Sequence, residues 1–266
     1  MSTISNIEEI LSDFQPISLK EVQKASLMRR KDSKFLFSFL HLPSILSMVA
    51  GEYRVLEIGG IRSHPYHTCY YDTGDLEMYH MHHRGMANRH KVRFRKYGVS
   101  DLHFLEVKKK NSKGVTIKNR VKTDGMDASI LTKEEEFLST FSPYTGNRMV
   151  PVLENKFSRI TLVNQNQSER ITLDYGLQFS STLNSNRLEL PGLSVAEIKY
   201  ENLLAGSLFN MALRQSHIRP QRFSKYAIGA ALLHPDLKQN SFKEKVNKVH
   251  QINNDYSQTI KHPEHA

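Results

Sequence analysis

The chain has 266 residues, of which 39% are hydrophobic, so it is long enough to bury a core and too apolar to be disordered. Its formal net charge of +10 predicts an anionic partner, which is nucleic acid, a phosphorylated metabolite or an anionic membrane surface. Cys69 is the only cysteine, which excludes an intrachain disulfide and a cysteine zinc site. We expect a cytoplasmic protein, free or at the inner face of the membrane, with no signal sequence and no transmembrane segment of its own.

Hydrophobic periodicity and turn residues predict mostly antiparallel strands with helices at the ends of the chain. We expect helices over 5–13, 18–26, 43–50, 76–83, 133–140, 201–214 and 224–233. Strands are expected over 29–38, 53–58, 67–72, 89–97, 101–110, 115–123, 156–164, 169–179 and 194–200. This order predicts an N-terminal helical segment over 1–25, a main domain over 26–233 and a polar C-terminal tail over 234–266.

Four of the predicted strand segments carry Lys or Arg at every second position. The clearest rows are Arg89, Lys91, Arg93 and Arg95 in one strand, and Lys118, Arg120 and Lys122 in another. Residues i and i+2 of a strand point to the same face, so each row projects its cations to one side. Such rows repel one another unless an anion lies between them. The pattern therefore predicts a site for a polyanion, and the Arg and Lys side chains favour phosphate.

The placement of these charges favours one of two architectures. Roughly eight strands at this spacing suit a closed barrel or a sandwich. A sandwich buries its inner faces in an apolar core, whereas here at least five strands carry a charged face. We therefore predict an α+β fold, in which an antiparallel eight-stranded β-tunnel, a closed barrel, has flanking and end-capping helices.

Acidic residues are scarce on these faces. A carboxylate beside phosphate calls for a bridging divalent cation, because the two anions repel each other. Glu197 is the candidate ligand for Mn²⁺ or Mg²⁺, while Glu106 or Asp32 would orient the cations. The alternative is that Glu197 only forms an ion pair. The histidines His80, His82, His83 and His90 form a loose cluster that no cysteine or spaced carboxylate completes into a zinc site.

Several motifs occur in a characteristic order: KVRFRKY, FLEVKKK, IKNRV, SRITL, ERITLDYGL, AEIK and FSKY. This order over about residues 26–232 resembles the VTC domain, the polyphosphate polymerase module named for the vacuolar transporter chaperone complex. That domain belongs with the triphosphate tunnel metalloenzymes, also called the CYTH superfamily. The chain looks like a prokaryotic form, because the domain stands without an attached phosphate-sensing or transmembrane segment. The resemblance implies an antiparallel β-tunnel.

The resemblance also implies roles for individual residues. The candidate catalytic residues are Arg93, Arg95, Lys108 and Lys225. Phosphate-binding roles fall to Lys34, Lys118, Arg159 and Arg170, with Arg120 on the face of Lys118 and Lys199 as a companion of Glu197. Glu197 matches the metal-binding glutamate of the family.

One departure from the superfamily bears on the reaction. Other members open with E-x-E-x-K, whereas this strand reads Arg30, Lys31, Asp32, Ser33 and Lys34. The change removes acid and adds base, which favours a longer phosphate chain over a two-metal hydrolase. The expected function is transfer of the γ-phosphate of ATP to a growing inorganic polyphosphate chain.

Two other functions stay open at this stage. One is an inorganic triphosphatase or nucleotide phosphatase on the same scaffold, and the other is a non-catalytic polyphosphate-binding module. The expected partners are ATP and polyphosphate, and a membrane protein for product export stays open. We do not expect nucleic acid, because the basic rows lack the interleaved exposed aromatics of a single-strand platform and a tunnel would exclude a duplex.

Overall fold

A computed structural model of the chain describes residues 3–24, 31–125, 133–201 and 206–262. The described strands are β1 (Gln15–Ile17), β2 (Lys31–Ser38), β3 (Tyr53–Leu56), β4 (Ser63–Thr73), β5 (Arg89–Tyr97), β6 (Leu102–Lys110), β7 (Thr116–Thr123), β8 (Met149–Asn164), β9 (Glu169–Ser181), β10 (Arg187–Leu190) and β11 (Leu193–Tyr200). The described helices are α1 (Thr3–Ser12), α2 (Leu19–Lys24), α3 (Leu42–Val49), α4 (Glu77–His83), α5 (Glu135–Phe141), α6 (Leu208–Gln215), α7 (Lys225–Leu233) and α8 (Lys243–Lys261). Short 3₁₀ turns cover Phe39–His41, Gly146–Arg148 and Asn240–Phe242.

Eight strands form the main path of the sheet, in the order β2-β11-β9-β8-β4-β5-β6-β7. Every pairing along this path is antiparallel. The short strands β3 and β10 pair with β8 and β9, and β1 pairs in parallel with β3. The predicted α+β fold with eight antiparallel strands is confirmed. One detail differs: in the described part of the chain, no ladder joins β2 to β7, so backbone hydrogen bonds do not close the tunnel.

Electrostatic interactions across the sheet show that it curls on itself. Lys108 on β6 and Glu197 on β11 are close enough for each charge to shift the pKa of the other group. These strands are five positions apart along the path, which is roughly 24 Å in a flat sheet. Charges so far apart are largely screened in salt solution. Lys91 on β5 and Lys34 on β2 interact in the same way. The two halves of the sheet therefore face each other across a lumen.

The outer face of the curled sheet packs against helices. Phe35, Ile160 and Ile198 point away from the lumen and are fully buried against α1, α3 and α6. On the other half, Val92 and Phe94 pack beneath α4 and α5. These residues alternate with the cations along their strands, so period-two patterning sorts apolar side chains outward and charged ones inward.

Helix α7 covers part of the inner face. Leu36 and Val195 lie two residues from Lys34 and Glu197 on the same face, and they pack against α7. This helix is apolar all round, which is typical of a fully buried helix. A Cβ on Gly229 would lie 2.7 Å from a ring carbon of Phe179, so glycine permits this close approach. The interior is thus apolar beneath α7 and basic beyond the N-terminus of α7.

Some local expectations are confirmed and others change. Ser18 and Glu21 form a capping box at α2, as their S-x-x-E spacing predicts, with Ser18 N–H donating to Glu21 at 2.9 Å. Strands β1 and β10 were not predicted, because runs of three and four residues carry too little pattern. Arg30, which we expected in the strand over 29–38, lies outside the described residues. The predicted polar tail contains α8, which buries Val249 and Ile252.

None of the described helices is both long enough and apolar enough to cross a bilayer.

Candidate active site

Cross-strand register places the predicted site residues beside one another on the inner face of the sheet. Directly opposed residues of an antiparallel pair share a face. The opposed pairs are Lys34 with Glu197, Arg170 with Lys199, Arg93 with Glu106, Glu106 with Arg120, and Lys108 with Lys118. The rows predicted on separate strands therefore form a belt of cations in two groups, one across β2, β11 and β9 and the other across β5, β6 and β7.

Glu106 organises the part of the belt on β5 and β6. Its side chain is fully buried and accepts two hydrogen bonds from Arg93, from Nε at 2.8 Å and from Nη2 at 2.6 Å. Lys118 Nζ contacts the other carboxylate oxygen. Although burial opposes it, the charges of Arg93 and Arg95 hold the pKa of Glu106 far below its usual range. The carboxylate thus fixes Arg93 and Lys118 in place.

Asp174 organises a second cluster, on the other half of the sheet. Arg159 donates from Nε and Nη2 to the two Asp174 oxygens, at 2.6 and 2.8 Å. Lys225, at the first position of α7, contacts the same carboxylate. Burial lowers the pKa of Lys225 to about 8, against the attraction of Asp174. This carboxylate therefore ties α7 to the sheet through two cations.

Glu197 lies in a third cluster, at the centre of β11. Lys199 Nζ donates to Glu197 at 2.5 Å, and Lys34 lies directly opposite on β2. Burial opposes ionisation, but the charges of Lys199 and Lys34 hold the pKa of Glu197 well below its usual range. Asp32 is exposed at the rim, where it interacts electrostatically with Lys199. The carboxylate is ionised, and cations surround it on several sides.

The segment before α7 contacts two lysines of the belt. Lys34 Nζ donates to the carbonyl of Phe223 at 3.3 Å. Lys91 Nζ donates to Ser224 Oγ at 2.8 Å, and that hydroxyl also caps α7 by accepting from Ala227 N–H. The N-terminal end of α7 therefore meets the belt from β2 and from β5.

Several lysines of the belt have lowered pKa values, as expected for crowded cations. The charge of Arg93, together with burial, lowers the pKa of Lys108 well below its usual range. Burial and the charge of Lys34 do the same to the pKa of Lys91. Burial also lowers the pKa of Lys118 to about 8, despite the attraction of Glu106. A bound anion would relieve this repulsion.

Buried and half-buried aromatic rings lie beside the cations, whereas the sequence expectation concerned exposed aromatics only. The guanidinium of Arg159 lies 4.8 Å from the ring centre of Tyr66, and that of Arg95 lies 5.4 Å from the same ring. Lys225 Nζ lies 4.6 Å from the centre of Phe157, and Arg120 lies 4.7 Å over Phe104. Several of these rings come from neighbouring strands, so the sequence of one strand does not reveal these contacts.

The remaining predicted residues lie at the edges of the belt. Arg170 is half-buried opposite Lys199, and Arg120 is exposed on β7. Arg95 is 6% exposed and donates from Nε to Thr68 Oγ1 at 3.3 Å. The structure thus brings all eleven predicted site residues to the inner face or its rim. Their roles in binding and catalysis stay predictions.

The donor set limits the kind of metal site that the tunnel could hold. In the described ranges, no group of three or more His, Cys, Asp or Glu side chains is placed to hold a metal ion. Burial and the charges of Lys91 and Arg89 lower the pKa of His82 to about 2, so that histidine is neutral. Glu197 fits a divalent ion that is shared with phosphate oxygens, as Mg²⁺ usually is. The residues do not fit a site made by protein ligands alone.

Asp174 and Lys91 are the main features that the sequence analysis left without a role. Both could have been found from strand parity. Asp174 lies four residues after Arg170 on the same face of β9, and Lys91 lies two residues before Arg93 on β5. The contacts of Phe223 and Ser224 could not have been found from the sequence, because they depend on where α7 enters the tunnel.

Three solved structures with similar folds have low sequence identity to the chain. A candidate adenylate cyclase from Vibrio parahaemolyticus shares 13% identity, with a TM-score of 0.45 over 75% of this chain and 97% of that chain. A candidate adenylate cyclase from Bacillus halodurans shares 14%, with a TM-score of 0.47 over 74% and 96%. A Hippeastrum protein, described as a candidate adenylyl cyclase with dominant triphosphatase activity, shares 14%, with a TM-score of 0.45 over 77% and 96%.

No curated protein gives a significant match to the chain. The family comparison is more informative, because the VTC domain family matches residues 29–234, which is most of the chain. That range contains the whole belt, from Lys34 to Lys225. The chain belongs to the VTC domain family.

Proposed function

We propose that the chain is an ATP-dependent polyphosphate polymerase. A terminal oxygen of the growing chain would attack the γ-phosphorus of ATP. The bond between that phosphorus and the β–γ bridging oxygen would break, and ADP would leave with the bonding electrons. Membership of the VTC domain family supports this assignment.

One observation carries the proposal, and it is the excess of fixed positive charge in the lumen. Three acids on the inner face, Glu106, Asp174 and Glu197, already contact cations. Repulsion still dominates at Lys91 and Lys108: burial and neighbouring cations lower both pKa values, although Glu106 and Glu197 attract Lys108. Isolated buried cations are unfavourable unless an anion compensates them. A chain of phosphates supplies this compensation along the whole belt.

The paired arginines suit phosphoryl transfer. Arg93 and Arg159 are each held by a carboxylate, so their guanidinium groups are oriented before substrate binds. Phosphoryl transfer depends mainly on positioning and on stabilisation of charge on the equatorial oxygens. Lys108 and Lys225 would add point charges near the transferred group. The attacking phosphate oxygen is already deprotonated at neutral pH, so the reaction needs no strong general base.

A divalent ion would complete the site, with Glu197 as its protein ligand. When bound, the ion would neutralise negative charge on the phosphate groups. Lys199 already contacts one Glu197 oxygen at 2.5 Å, so ion binding and this contact would share the carboxylate. Lys199 would then turn towards phosphate.

Product analysis after incubation with ATP and Mn²⁺ tests the proposal. We expect long-chain polyphosphate on a stained gel, together with ADP. Free phosphate alone would instead identify a hydrolase. If neither polyphosphate nor free phosphate formed, the chain would be a non-catalytic binding module. Arg93→Ala should abolish product formation, because it removes a preoriented guanidinium. Lys109→Ala is the matched control, since Lys109 lies on β6 but is exposed on the opposite face.

A further inference from the structure

The two ends of the cationic belt differ in chemistry. Along β5 the inward-facing residues run from Arg89 through Arg93 to Tyr97. At the Arg89 end, the charges of Arg89, Lys110 and Arg222 interact with one another. At the other end, aromatic rings replace the cations. The belt therefore has a basic end and an aromatic end.

The aromatic end is a connected group of rings. Tyr97 lies directly opposite Tyr66, with ring centres 5.0 Å apart. The ring of Tyr97 also meets Phe104 edge-on, at 5.7 Å and 88°. Phe104 shares its face of β6 with Glu106 and Lys108, where a large apolar side chain is out of place among charges. Tyr97 and Phe104 are both only half-buried, so the group is open to a ligand.

Arg120 distinguishes this end further. Its register partner is Glu106, yet Arg93 and Lys118 contact that carboxylate instead. The Arg120 guanidinium lies 4.7 Å over the Phe104 ring, and the side chain is exposed. A planar cation that rests on a ring presents its second face to the lumen or its rim. Guanidinium planes and aromatic rings are the surfaces on which nucleobases stack.

We propose that Tyr97, Phe104 and Arg120 form a nucleobase-binding subsite that holds the nucleotide at the aromatic end of the tunnel. The inference rests on the proposed function and deepens it. Arg95 lies two residues before Tyr97 on the same face of β5, so a base stacked on this subsite would have its phosphates beside Arg95 and Arg93. Growing polyphosphate, which has no base, would then extend towards Arg89 and Arg222. Because every base has a stacking face, the subsite would accept nucleoside triphosphates in general.

The alternative is that these rings only support the cations of the belt. The two readings differ in which ligand depends on the rings. A base-stacking subsite contributes to the binding of ATP and leaves inorganic triphosphate unaffected. Rings that merely position Arg120 and Arg95 would contribute equally to both ligands.

Calorimetric titration of ATP and of inorganic triphosphate, in EDTA and at one salt concentration, separates these readings without relying on turnover. Phe104→Leu should weaken ATP about tenfold, within the range measured for base stacking. Arg120→Lys keeps the charge and removes the plane, so it should also weaken ATP. Phe104→Leu should leave the affinity for inorganic triphosphate within about twofold, and Arg120→Lys should weaken triphosphate less than it weakens ATP, because the positive charge stays. Phe141→Leu and Arg187→Lys change exposed residues elsewhere and serve as controls.

Equal losses of affinity for both ligands, or no loss for either, would overturn the subsite. The proposed function would be unaffected by that result, provided that the wild-type protein binds inorganic triphosphate. If the wild-type protein binds neither ligand, the proposed function fails and the subsite fails with it. Since Arg120→Lys alters an exposed side chain, a folding defect in Phe104→Leu would not prevent a decision.

Discussion

At the scale of single residues, the buried carboxylates Glu106 and Asp174 each contact two cations. Glu106 contacts Arg93 and Lys118, and Asp174 contacts Arg159 and Lys225. These acids let the empty tunnel fold with its cations crowded together. Strand parity predicted most of the cations from the sequence. It could not predict which acid holds which cation, because that depends on register between strands.

Removing the charge of Glu106 should show how much this carboxylate stabilises the neighbouring cations. Glu106→Gln leaves the buried Arg93 and the partly exposed Lys118 without this counter-charge, which should lower the free energy of unfolding by about 3 kcal/mol. Inorganic triphosphate should restore much of that loss, because it replaces the missing negative charge. Urea titrations with and without the ligand measure both effects. Glu154→Gln is the control, since Glu154 pairs with His67 and is 37% exposed. Equal destabilisation in the two variants would contradict the role of Glu106.

Glu197 is expected to act differently, as a metal ligand. Glu197→Gln keeps the shape of the side chain but weakens coordination, so activity should fall by orders of magnitude. Binding of metal-free triphosphate should survive or tighten, since a negative charge is lost. A Mn²⁺ titration of activity in both proteins is the measurement. An unchanged metal optimum in the variant would leave Glu197 as an ion-pair partner of Lys199 only.

The lysine pKa values give a pH dependence. Burial lowers the pKa of both Lys118 and Lys225 to about 8, and bound phosphate would raise each value. Affinity for triphosphate should therefore be full below pH 8 and decline above it, where the free lysines are neutral. The ligand itself stays ionised over this range, as phosphate groups titrate near pH 6. Lys225→Arg should weaken the decline, because arginine stays charged. Titrations with triphosphate from pH 7.5 to 9.5 measure this decline in affinity. An affinity that does not change with pH over this range would contradict the proposed role of these lysines.

At the scale of secondary structure, the strands were predictable and the inner helix was less so. Period-two patterning identified the inward and outward faces of β5, β6, β8, β9 and β11. Helix α7 was predicted near its observed range, but its apolar residues lie on every side and show no preferred face. Sequence therefore could not show that α7 fills part of the tunnel. That placement follows from its contacts with Leu36, Phe179 and Val195.

A buried hydrogen bond holds α7 in this position. The hydroxyl of Tyr226 donates to Asp72, which also accepts from the backbone N–H groups of Met78 and Tyr79 at the start of α4. Tyr226→Phe should lower the free energy of unfolding by about 1–2 kcal/mol. Polymerase activity should fall as well, because Lys225 is the adjacent residue. Thermal melts and product assays measure the two effects. Tyr200→Phe, which loses a long 3.3 Å contact with Ser33, should be nearly neutral.

At the scale of the whole molecule, the curled sheet makes one polyanion site from residues that are distant in sequence. The net charge of +10 predicted an anionic partner, and strand order explains where that charge collects. The sequence could not predict that the tunnel has an aromatic end, because Tyr66 and Tyr97 come together only through pairing of β4 with β5. The family assignment over residues 29–234 agrees with a phosphate-handling tunnel.

Thermal melting with and without inorganic polyphosphate tests the tunnel most directly, at low and at high salt. A ligand at 100 times its dissociation constant adds about 2.7 kcal/mol of stability, which is roughly 5–10 °C in Tm for a chain of this size. The shift should shrink in high salt, because charge attraction drives the binding. Arg93→Ala should reduce the shift, and Lys109→Ala should not. A melting temperature that responds to neither polyphosphate nor salt would contradict the basic tunnel.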